Sequence, residues 1–329
     1  MKLLVFEYST VCLDNYLINE GFNMLKGMLD NLENISFFDT YFLINKKLPK
    51  LNFKNCSPIY LEDDIGLWLK KYSEEFDYCL FVAPEDNLIQ YKICKILEEN
   101  NVSILGSSSN ASFICSSKFL TYKYVPEELK IDTLKINSND VDFSVIENHF
   151  KSFDFIVKPD NRTSSNLIFH VNNENEFKEI LELYEKEDVD DVLLQEYISG
   201  DSVSVSIICD DSFVNCISIN SQEIRTENNK ITYIGCVTPI EHEYKNELFQ
   251  ISERIIKSIP NLKGFVGIDY IINEDKIYFV EVNARITTPF IVLQKQCNDN
   301  LIENIIELLI NKKRKKISFK NSGSFCKEE

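Results

Sequence analysis

Three oxygen-bearing side chains that could bind a metal ion lie within residues 264–289, which read GFVGIDYIINEDKIYFVEVNARITTP. Two apolar runs flank the polar residues 273–276, a pattern that predicts a β-hairpin. Asp269 interrupts the first run, and Glu281 and Asn283 belong to the second strand. Because side chains alternate faces along a strand, Glu281 and Asn283 point the same way, and a hairpin loop of odd length would bring Asp269 onto that face. Two carboxylates and an amide oxygen suit Mg²⁺, which completes its coordination with water and substrate phosphates.

Arg285 follows two residues after Asn283, and its guanidinium is suited to anions. The same polar residues would also fit the solvent-exposed end of a hairpin, since acidic side chains are seldom buried without a partner. Residues 280–285, VEVNAR, favour the metal site because a carboxylate and an amide are spaced along an apolar strand.

Two lysines upstream of the hairpin could bind phosphate groups. Lys118 opens the segment 118–124, which is predicted to be helical, and a solvated helix residue is the alternative there. Lys158 follows the apolar residues 155–157, and Pro159 directly after it ends that strand. A lysine at the end of a buried strand can act as a point charge for phosphate.

Short apolar strands alternate with helical segments in the first part of the chain, which predicts a parallel α/β layer. The predicted strands are residues 2–6, 41–44 and 78–82, and the predicted helices are residues 13–32, 66–72 and 88–99. We therefore expect a Rossmann-like domain over residues 1–110. It lacks a G-x-G-x-x-G motif, so we do not expect a dinucleotide site there. Glu85 follows the third strand, where ligands gather in such sheets, although an acid at a helix N-terminus is the alternative.

Later segments predict a mixture of strands and helices. The predicted strands are residues 192–198, 202–209, 213–220 and 231–234, and the predicted helices are residues 174–184, 247–259 and 300–310. The basic run 312–316 fits a solvated helix C-terminus better than a nucleic-acid surface. Residues 319–329 are expected to be a tail that is frayed from Asn321 onwards.

The composition is that of a globular protein, with 44% hydrophobic and 26% charged residues. The net charge of -17 argues against a nucleic acid or an anionic membrane as partner, so an anionic substrate would need a local basic pocket. Ten cysteines are scattered without a C-x-x-C pair, which favours reduced thiols over a disulfide framework. Glu7 comes too early for a signal peptide, and no window has the length of a membrane span. We expect a cytoplasmic protein, and the sequence leaves its oligomeric state open, a homo-oligomer included.

Motifs along the chain occur in the order found in the ATP-grasp ligases, and their spacing over about 170 residues resembles that family. They are Ser117-Lys118, FIVKP at 155–159, QEYISG at 195–200, GID at 267–269 and EVNAR at 281–285. The resemblance implies an ATP-grasp fold, α/β and α+β in class, behind the Rossmann-like domain. The implied units are a first ATP-grasp subdomain at 111–190, a second subdomain with the metal site at 191–318, and the tail.

The resemblance also implies a role for each matching residue in an ATP-dependent carboxylate-amine ligase. Lys118 and Lys158 would contact ATP phosphates, and Gln195 or Glu196 with the backbone at Ile198 would hold adenine. Mg²⁺ or Mn²⁺ would be held by Asp269, Glu281 and Asn283. Arg285 would stabilise the transferred phosphoryl group or the acyl-phosphate. Phosphoryl transfer requires positioning and charge neutralisation, so no protein nucleophile is needed.

Two features depart from the family pattern. No glycine occurs between Lys158 and Gly200, whereas the loop after this lysine is glycine-rich in many relatives. Ser164, Ser165 and backbone amides would have to cradle phosphate there, in the polar loop 160–166 that we expect to move on closure. The position of the acid that often binds the sugar is occupied by Ser202, and Asp201, one place early, is the candidate sugar contact.

A second set of motifs is similar to a narrower group of these ligases, which joins the γ-carboxylate of L-glutamate to tyramine in methanofuran biosynthesis. The motifs are Phe6-Glu7-Tyr8, Glu20-Gly21 with Met24-Leu25, Ala83-Pro84-Glu85, Tyr233-Ile234-Gly235 and Arg285-Ile286-Thr287-Thr288. An amino acid and an amine are then the small-molecule partners, with Glu85 as a candidate substrate contact. Arg225 is the candidate for the second carboxylate, and an exposed loop arginine is the alternative. Other rival hypotheses are a ligase of this family with different substrates and a nucleotide-binding protein without turnover.

Overall fold

The computed structural model describes residues 1–14, 16–62, 64–150, 153–162, 167–274 and 276–327. The first strands are Lys2–Glu7 (β1), Asp39–Asn45 (β2), Cys56–Leu61 (β3), Tyr78–Val82 (β4) and Ser103–Ile104 (β5). The helices between them are Tyr8–Cys12 (α1), Ile18–Leu32 (α2), Ile65–Tyr72 (α3) and Ile89–Glu99 (α4). These strands pair in parallel in the order β3-β2-β1-β4-β5, which confirms the predicted α/β layer.

Local sequence accounts for where these elements lie and end. Five consecutive buried residues in β1 are typical of a parallel strand covered on both faces. Pro58 lies in the edge strand β3, where a missing N–H costs little. Asp64 caps α3 by accepting a hydrogen bond from the backbone N–H of Leu67 at 2.8 Å. The predicted helix at 13–32 was too long, because Leu13 has a φ of +59° and ends α1 before α2 begins.

The remaining strands form one antiparallel sheet among the described residues. They are Thr133–Asn137 (β6), Phe155–Pro159 (β7), Phe169–Val171 (β8), Asp191–Glu196 (β9), Asp201–Asp210 (β10), Phe213–Glu227 (β11), Lys230–Ile240 (β12), Gly264–Asn273 (β13), Lys276–Asn283 (β14) and Gly323–Cys326 (β15). The order is β14-β13-β10-β11-β12-β8-β7-β9-β6, and β15 pairs with β12. The helices are Ser109–Ser116 (α5), Lys118–Thr121 (α6), Phe143–His149 (α7), Glu174–Lys186 (α8), Lys245–Ser258 (α9), Phe290–Gln296 (α10) and Leu301–Asn311 (α11).

The hairpin of β13 and β14 confirms the predicted strands but not the predicted loop. Asn273 pairs with Lys276, so only two residues separate the strands, an even number. With that turn alone, Asp269 would face Val280. A β-bulge shifts the register between Tyr270 and Asp269, so Asp269 lies directly opposite Glu281. The extra residue therefore comes from the strand rather than from the turn.

Strand pairing in the sheet groups the elements differently from one of the predicted domain limits, and these limits stay a prediction. The limit at residue 190 lies just before β9, whose partners are β6 and β7, so strand pairing groups β9 with the first subdomain. Residues 323–326, expected to be frayed, form β15 because β12 supplies their hydrogen-bonding partners. Within the described ranges, no helix is both long and apolar enough to pass through a bilayer.

Helix α2 of the Rossmann-like domain packs against α10 and α11, and the buried side chain of Asn31 connects all three helices. Its Nδ2 donates to the carbonyl oxygen of Gly27 and to Oε1 of Gln294, both at 2.9 Å. Its Oδ1 accepts from the backbone N–H of Leu301 at 3.1 Å. That N–H belongs to the first turn of α11, where amides have no intrahelical partner. Asn31 therefore caps a helix of another domain.

Replacing Asn31 with Ala should destabilise the protein by about 1–3 kcal/mol, because buried groups of α10 and α11 lose a partner. Urea unfolding followed by circular dichroism measures the change. Asn23→Ala, on the exposed side of the same helix, is the matched control and should lie within about 0.5 kcal/mol of the unmodified protein. Equal unfolding midpoints for the two variants would contradict the capping role.

Candidate active site

A cavity of about 460 Å³ opens between the domains. Its volume lies within the range of small-molecule sites. Glu7 and Met24 line it from the Rossmann-like domain, Lys158 from the first subdomain, and Asp269 and Arg285 from the second. The structure therefore brings residues from all three predicted units to one surface.

The predicted metal ligands lie together at this cavity. Asp269 and Glu281 face each other across the hairpin, and Nδ2 of Asn283 donates to Oδ2 of Asp269 at 3.4 Å. Burial, with the nearby charge of Glu281, raises the pKa of Asp269 to about 8. Burial also opposes ionisation of Glu281, but Lys118 and Lys158 lower its pKa.

This donor set fits a magnesium or manganese ion. Two carboxylates repel each other here, and a divalent cation would remove that repulsion. Within the described part of the chain, no group of three or more His, Cys, Asp or Glu side chains is placed to hold a metal ion, and this set has two carboxylates. Few protein ligands suit Mg²⁺, because it retains water and substrate phosphates in its shell.

Both predicted phosphate-binding lysines line the cavity beside these carboxylates. Nζ of Lys118 lies 3.2 Å from Oε2 of Glu281 and donates to the carbonyl oxygen of Arg162 at 2.6 Å. Nζ of Lys158 donates to Oε1 of Gln195 at 2.8 Å. Burial, with the charge of Lys118, lowers the pKa of Lys158 to about 8. A phosphate bound here would neutralise two neighbouring ammonium groups.

Gln195 lines the cavity but its amide is committed to protein partners. Besides accepting from Lys158, it donates through Nε2 to Oγ1 of Thr133 at 2.9 Å and to the hydroxyl of Tyr122. This arrangement positions Lys158. The other predicted adenine contacts, Glu196 and Ile198, also line the cavity.

Asp201, the predicted sugar contact, is exposed and is not among the described residues that line the cavity. Its neighbours Gly200 and Ser202 do line it. Alternation along β10 explains the difference, since adjacent side chains point to opposite faces.

Asp160, at the start of the predicted mobile loop, is a buried anchor. It accepts from Oγ of Ser117 at 2.8 Å, from the backbone N–H of Phe119 at 2.9 Å and from Nζ of Lys135 at 3.0 Å. These bonds fix the start of α6 and so the position of Lys118. The loop cannot begin its motion at Asp160 without breaking them. Ser164 and Ser165, predicted to cradle phosphate, lie outside the described residues.

Arg285, which is partly buried, and Glu85, which is buried, form an ion pair between domains. Nε of Arg285 donates to Oε2 of Glu85 at 2.9 Å. Burial raises the pKa of Glu85, and the charge of Arg285 opposes that shift. Glu85, the predicted substrate contact, is not among the described residues lining the cavity, whereas Arg285 is. The geometry shows Glu85 holding Arg285 in place.

Arg225, predicted to bind the second substrate carboxylate, is not brought to the cavity. Its side chain is 41% exposed, and its Nε lies 3.7 Å from Oε1 of Glu227. The adjacent residues Ile224 and Thr226 do line the cavity, so strand alternation turns Arg225 to the other face of β11.

Sequence reasoning gave no role to several residues at the far end of the cavity. Leu17, directly before α2, lines it together with Glu20 and Met24 of α2, and their helical spacing was a signal available in the sequence. Thr288 and Lys327 line it as well. Lys327 carried no local signal, because only the long-range pairing of β15 with β12 brings it there.

Glu7 closes this end of the cavity at the junction of β1 and α1. It accepts from the backbone N–H of Ser9 at 3.1 Å, from Oγ of Ser9 at 2.6 Å and from the backbone N–H of Thr10 at 3.0 Å. Despite these bonds, burial raises the pKa of Glu7 to about 7. A Cβ on Gly21 would overlap the Glu7 carboxylate, so α2 approaches this closely only with glycine there.

Comparison with known proteins identifies similarities over nearly the whole chain. A family model described as "ATP-grasp domain" matches residues 115–289, and one described as "pre ATP-grasp 3 domain" matches residues 38–111. The tyramine–L-glutamate ligase of Methanocaldococcus jannaschii is 30% identical over 331 residues, covering 98% of this chain and 92% of the relative. The ligase of the same name from Methanocaldococcus fervens is 29% identical over 333 residues, covering 98% and 97%.

A solved structure gives the same result for the fold. The crystal structure of an ATP-grasp superfamily protein from Archaeoglobus fulgidus has a TM-score of 0.71 to this chain at 24% identity. The match covers 98% of this chain and 91% of that one.

The pH dependence of stability tests the burial of Glu7. Its folded pKa lies above the unfolded value of 4.5, so between pH 4.5 and 7 the folded protein keeps a proton that the unfolded chain has released. The contribution of Glu7 to the free energy of unfolding is therefore fully present below pH 4.5. It falls by about 3 kcal/mol as pH rises from 4.5 through 7. Glu7→Gln should remove this part of the decline in urea-unfolding free energy. The exposed control Glu99→Gln should retain it, and equal slopes for both variants would refute the assignment.

Proposed function

The chain belongs to the ATP-grasp family, and we propose that it uses ATP to join the γ-carboxylate of L-glutamate to the amine of tyramine, releasing ADP and phosphate. The observation that carries this proposal is the continuous cavity, which has Lys118 and Lys158 beside facing carboxylates at one end and reaches the Rossmann-like domain at the other. Similarity to two tyramine–L-glutamate ligases over nearly the full chain supports the substrate pair.

ATP would occupy the end of the cavity formed by the two ATP-grasp subdomains. Ile156 pairs with Gln195 across β7 and β9, and both line the cavity, so an apolar wall lies beside the polar edge. The adenine ring would lie against Ile156 near the backbone of Ile198. Lys118 and Lys158 would then neutralise phosphate oxygens, since both ammonium groups face this part of the cavity.

Asp269, Glu281 and Asn283 would hold the divalent cation, which supplies charge neutralisation for the polyphosphate when bound. Without the cation, contacts with other protein residues keep these three ligands together. Lys118 lies 3.2 Å from Glu281, and this pairing offsets part of the repulsion between the two carboxylates.

The chemistry requires phosphorylation before the amide forms, because a carboxylate is too poor an electrophile for an amine. An oxygen of the γ-carboxylate attacks the γ-phosphorus, ADP leaves, and an acyl-phosphate results. The amine nitrogen then attacks the acyl carbon, loses a proton to a base, and expels phosphate. Arg285 lines the cavity next to the metal ligands and would stabilise the negative charge transferred with the phosphoryl group.

Removing a metal ligand tests the assignment of the carboxylates. Glu281→Gln and Asp269→Asn should each lower ADP formation by at least about 100-fold, because charge stabilisation at the phosphates is lost. The far-UV circular dichroism should not change. Glu274→Gln, at the exposed turn of the same hairpin, is the matched control and should keep full activity. Turnover by Glu281→Gln at the unmodified rate would disprove the role of this residue.

Isotope transfer tests the order of the chemical steps. If both oxygens of the glutamate γ-carboxylate carry ¹⁸O, one label should pass into the released phosphate for every amide formed. Mass spectrometry of phosphate and amide measures the ratio. Accumulation of amide with unlabelled phosphate would exclude the acyl-phosphate route.

A further inference from the structure

The far end of the cavity contains an ion pair that the phosphoryl-transfer chemistry does not use. Nζ of Lys327 lies 2.8 Å from Oε2 of Glu20, and the two side chains are only 17% and 12% exposed. Both residues line the cavity. Each charge of such a pair can exchange its partner for an opposite charge on a ligand, so neither is left buried without a partner, which would be costly in free energy.

Backbone pairing and two aromatic rings hold Lys327 in its position. β15 pairs with β12, and the backbone N–H of Lys327 donates to the carbonyl oxygen of Ile234 at 2.9 Å. Its Nζ lies 5.2 Å from the ring centroid of Tyr233 and 5.9 Å from that of Tyr16. These rings and the backbone bond hold the ammonium group over the cavity.

Glu20 is positioned just as firmly. The hydroxyl of Thr288 donates to its Oε1, and Thr288 follows Arg285 by three residues. Arg285 and Thr288 both line the cavity. The Lys327 and Glu20 pair therefore contacts the same chain segment, 285–288, that carries Arg285.

We propose that this pair binds the α-amino acid end of the acid substrate, with Lys327 receiving the α-carboxylate and Glu20 receiving the α-ammonium. The proposal rests on the proposed function, because L-glutamate carries both charged groups on one carbon. Its γ-carboxylate would then extend towards Arg285. The pair thus supplies a cation and an anion side by side, which matches a zwitterion.

The distribution of cations supports Lys327 as the carboxylate partner. Among the described residues that line the cavity, the cations are Lys118, Lys158, Arg285 and Lys327. The first two lie at the phosphate end, and Arg285 is the group towards which the reacting γ-carboxylate would extend. Lys327 is the one placed to receive a second carboxylate.

Substrate analogues separate the two roles. 4-Aminobutyrate lacks the α-carboxylate of glutamate, and glutarate lacks the α-ammonium, while both keep the reacting carboxylate. Lys327→Gln should raise the KM for L-glutamate at least tenfold and lower the preference for L-glutamate over 4-aminobutyrate by a similar factor. Glu20→Gln should lower the preference for L-glutamate over glutarate at least tenfold. The KM values for ATP and tyramine should change less than twofold in both variants.

Two further variants control for structural effects. Lys327→Arg keeps the charge and should retain most of the affinity for L-glutamate. Lys320→Gln, an exposed lysine of the same segment, should not change the KM for L-glutamate.

The possible outcomes distinguish this inference from the proposed function. If the unmodified protein forms γ-glutamyltyramine but Lys327→Gln has an unchanged KM for L-glutamate, this inference alone is wrong. An equal rise in KM for all three substrates would also overturn it, because it would show a structural role for the segment. If the unmodified protein forms no amide from L-glutamate, the proposed function and this inference are both wrong.

Discussion

The ion pair between Lys118 and Glu281 joins two groups that would each be costly to bury alone. Lys118 lies beside the like charge of Lys158, and Glu281 lies beside the like charge of Asp269. The distance of 3.2 Å between Nζ of Lys118 and Oε2 of Glu281 gives an attraction that offsets part of both repulsions. The contact therefore holds α6, which carries Lys118, against β14, which carries Glu281.

Further buried contacts maintain that arrangement from behind. Asp160 fixes the start of α6, which carries Lys118, and Gln195 holds the ammonium group of Lys158. Glu85 holds Arg285 from the Rossmann-like domain. Loss of any of these three supporting residues would therefore displace a cation that lines the cavity.

Much of the fold and of the phosphate end could be predicted from sequence, because local patterns encode both. The strand at 78–82 follows from its apolar run, and the shared face of Glu281 and Asn283 follows from alternation. Asp269 lies opposite Glu281 only because of the bulge. The bulge could not be predicted, since no residue type requires it. Arg225 was expected in a loop, but β11 extends to Glu227, and regular alternation turns Arg225 away from the cavity that Ile224 and Thr226 line. Lys327 was missed because its position depends on strand pairing between segments far apart in sequence.

The bulge in β14 also determines which changes of length the hairpin can accommodate. Val280 is the residue without a partner across the hairpin, and it lines the cavity together with Glu281. A chain lacking Val280 would pair regularly from the same turn and still place Asp269 opposite Glu281. A chain with one more residue in the turn would keep Asn273 paired with Lys276, and the bulge would still place Asp269 opposite Glu281. Relatives can therefore differ by an insertion or deletion here while keeping both carboxylates in register.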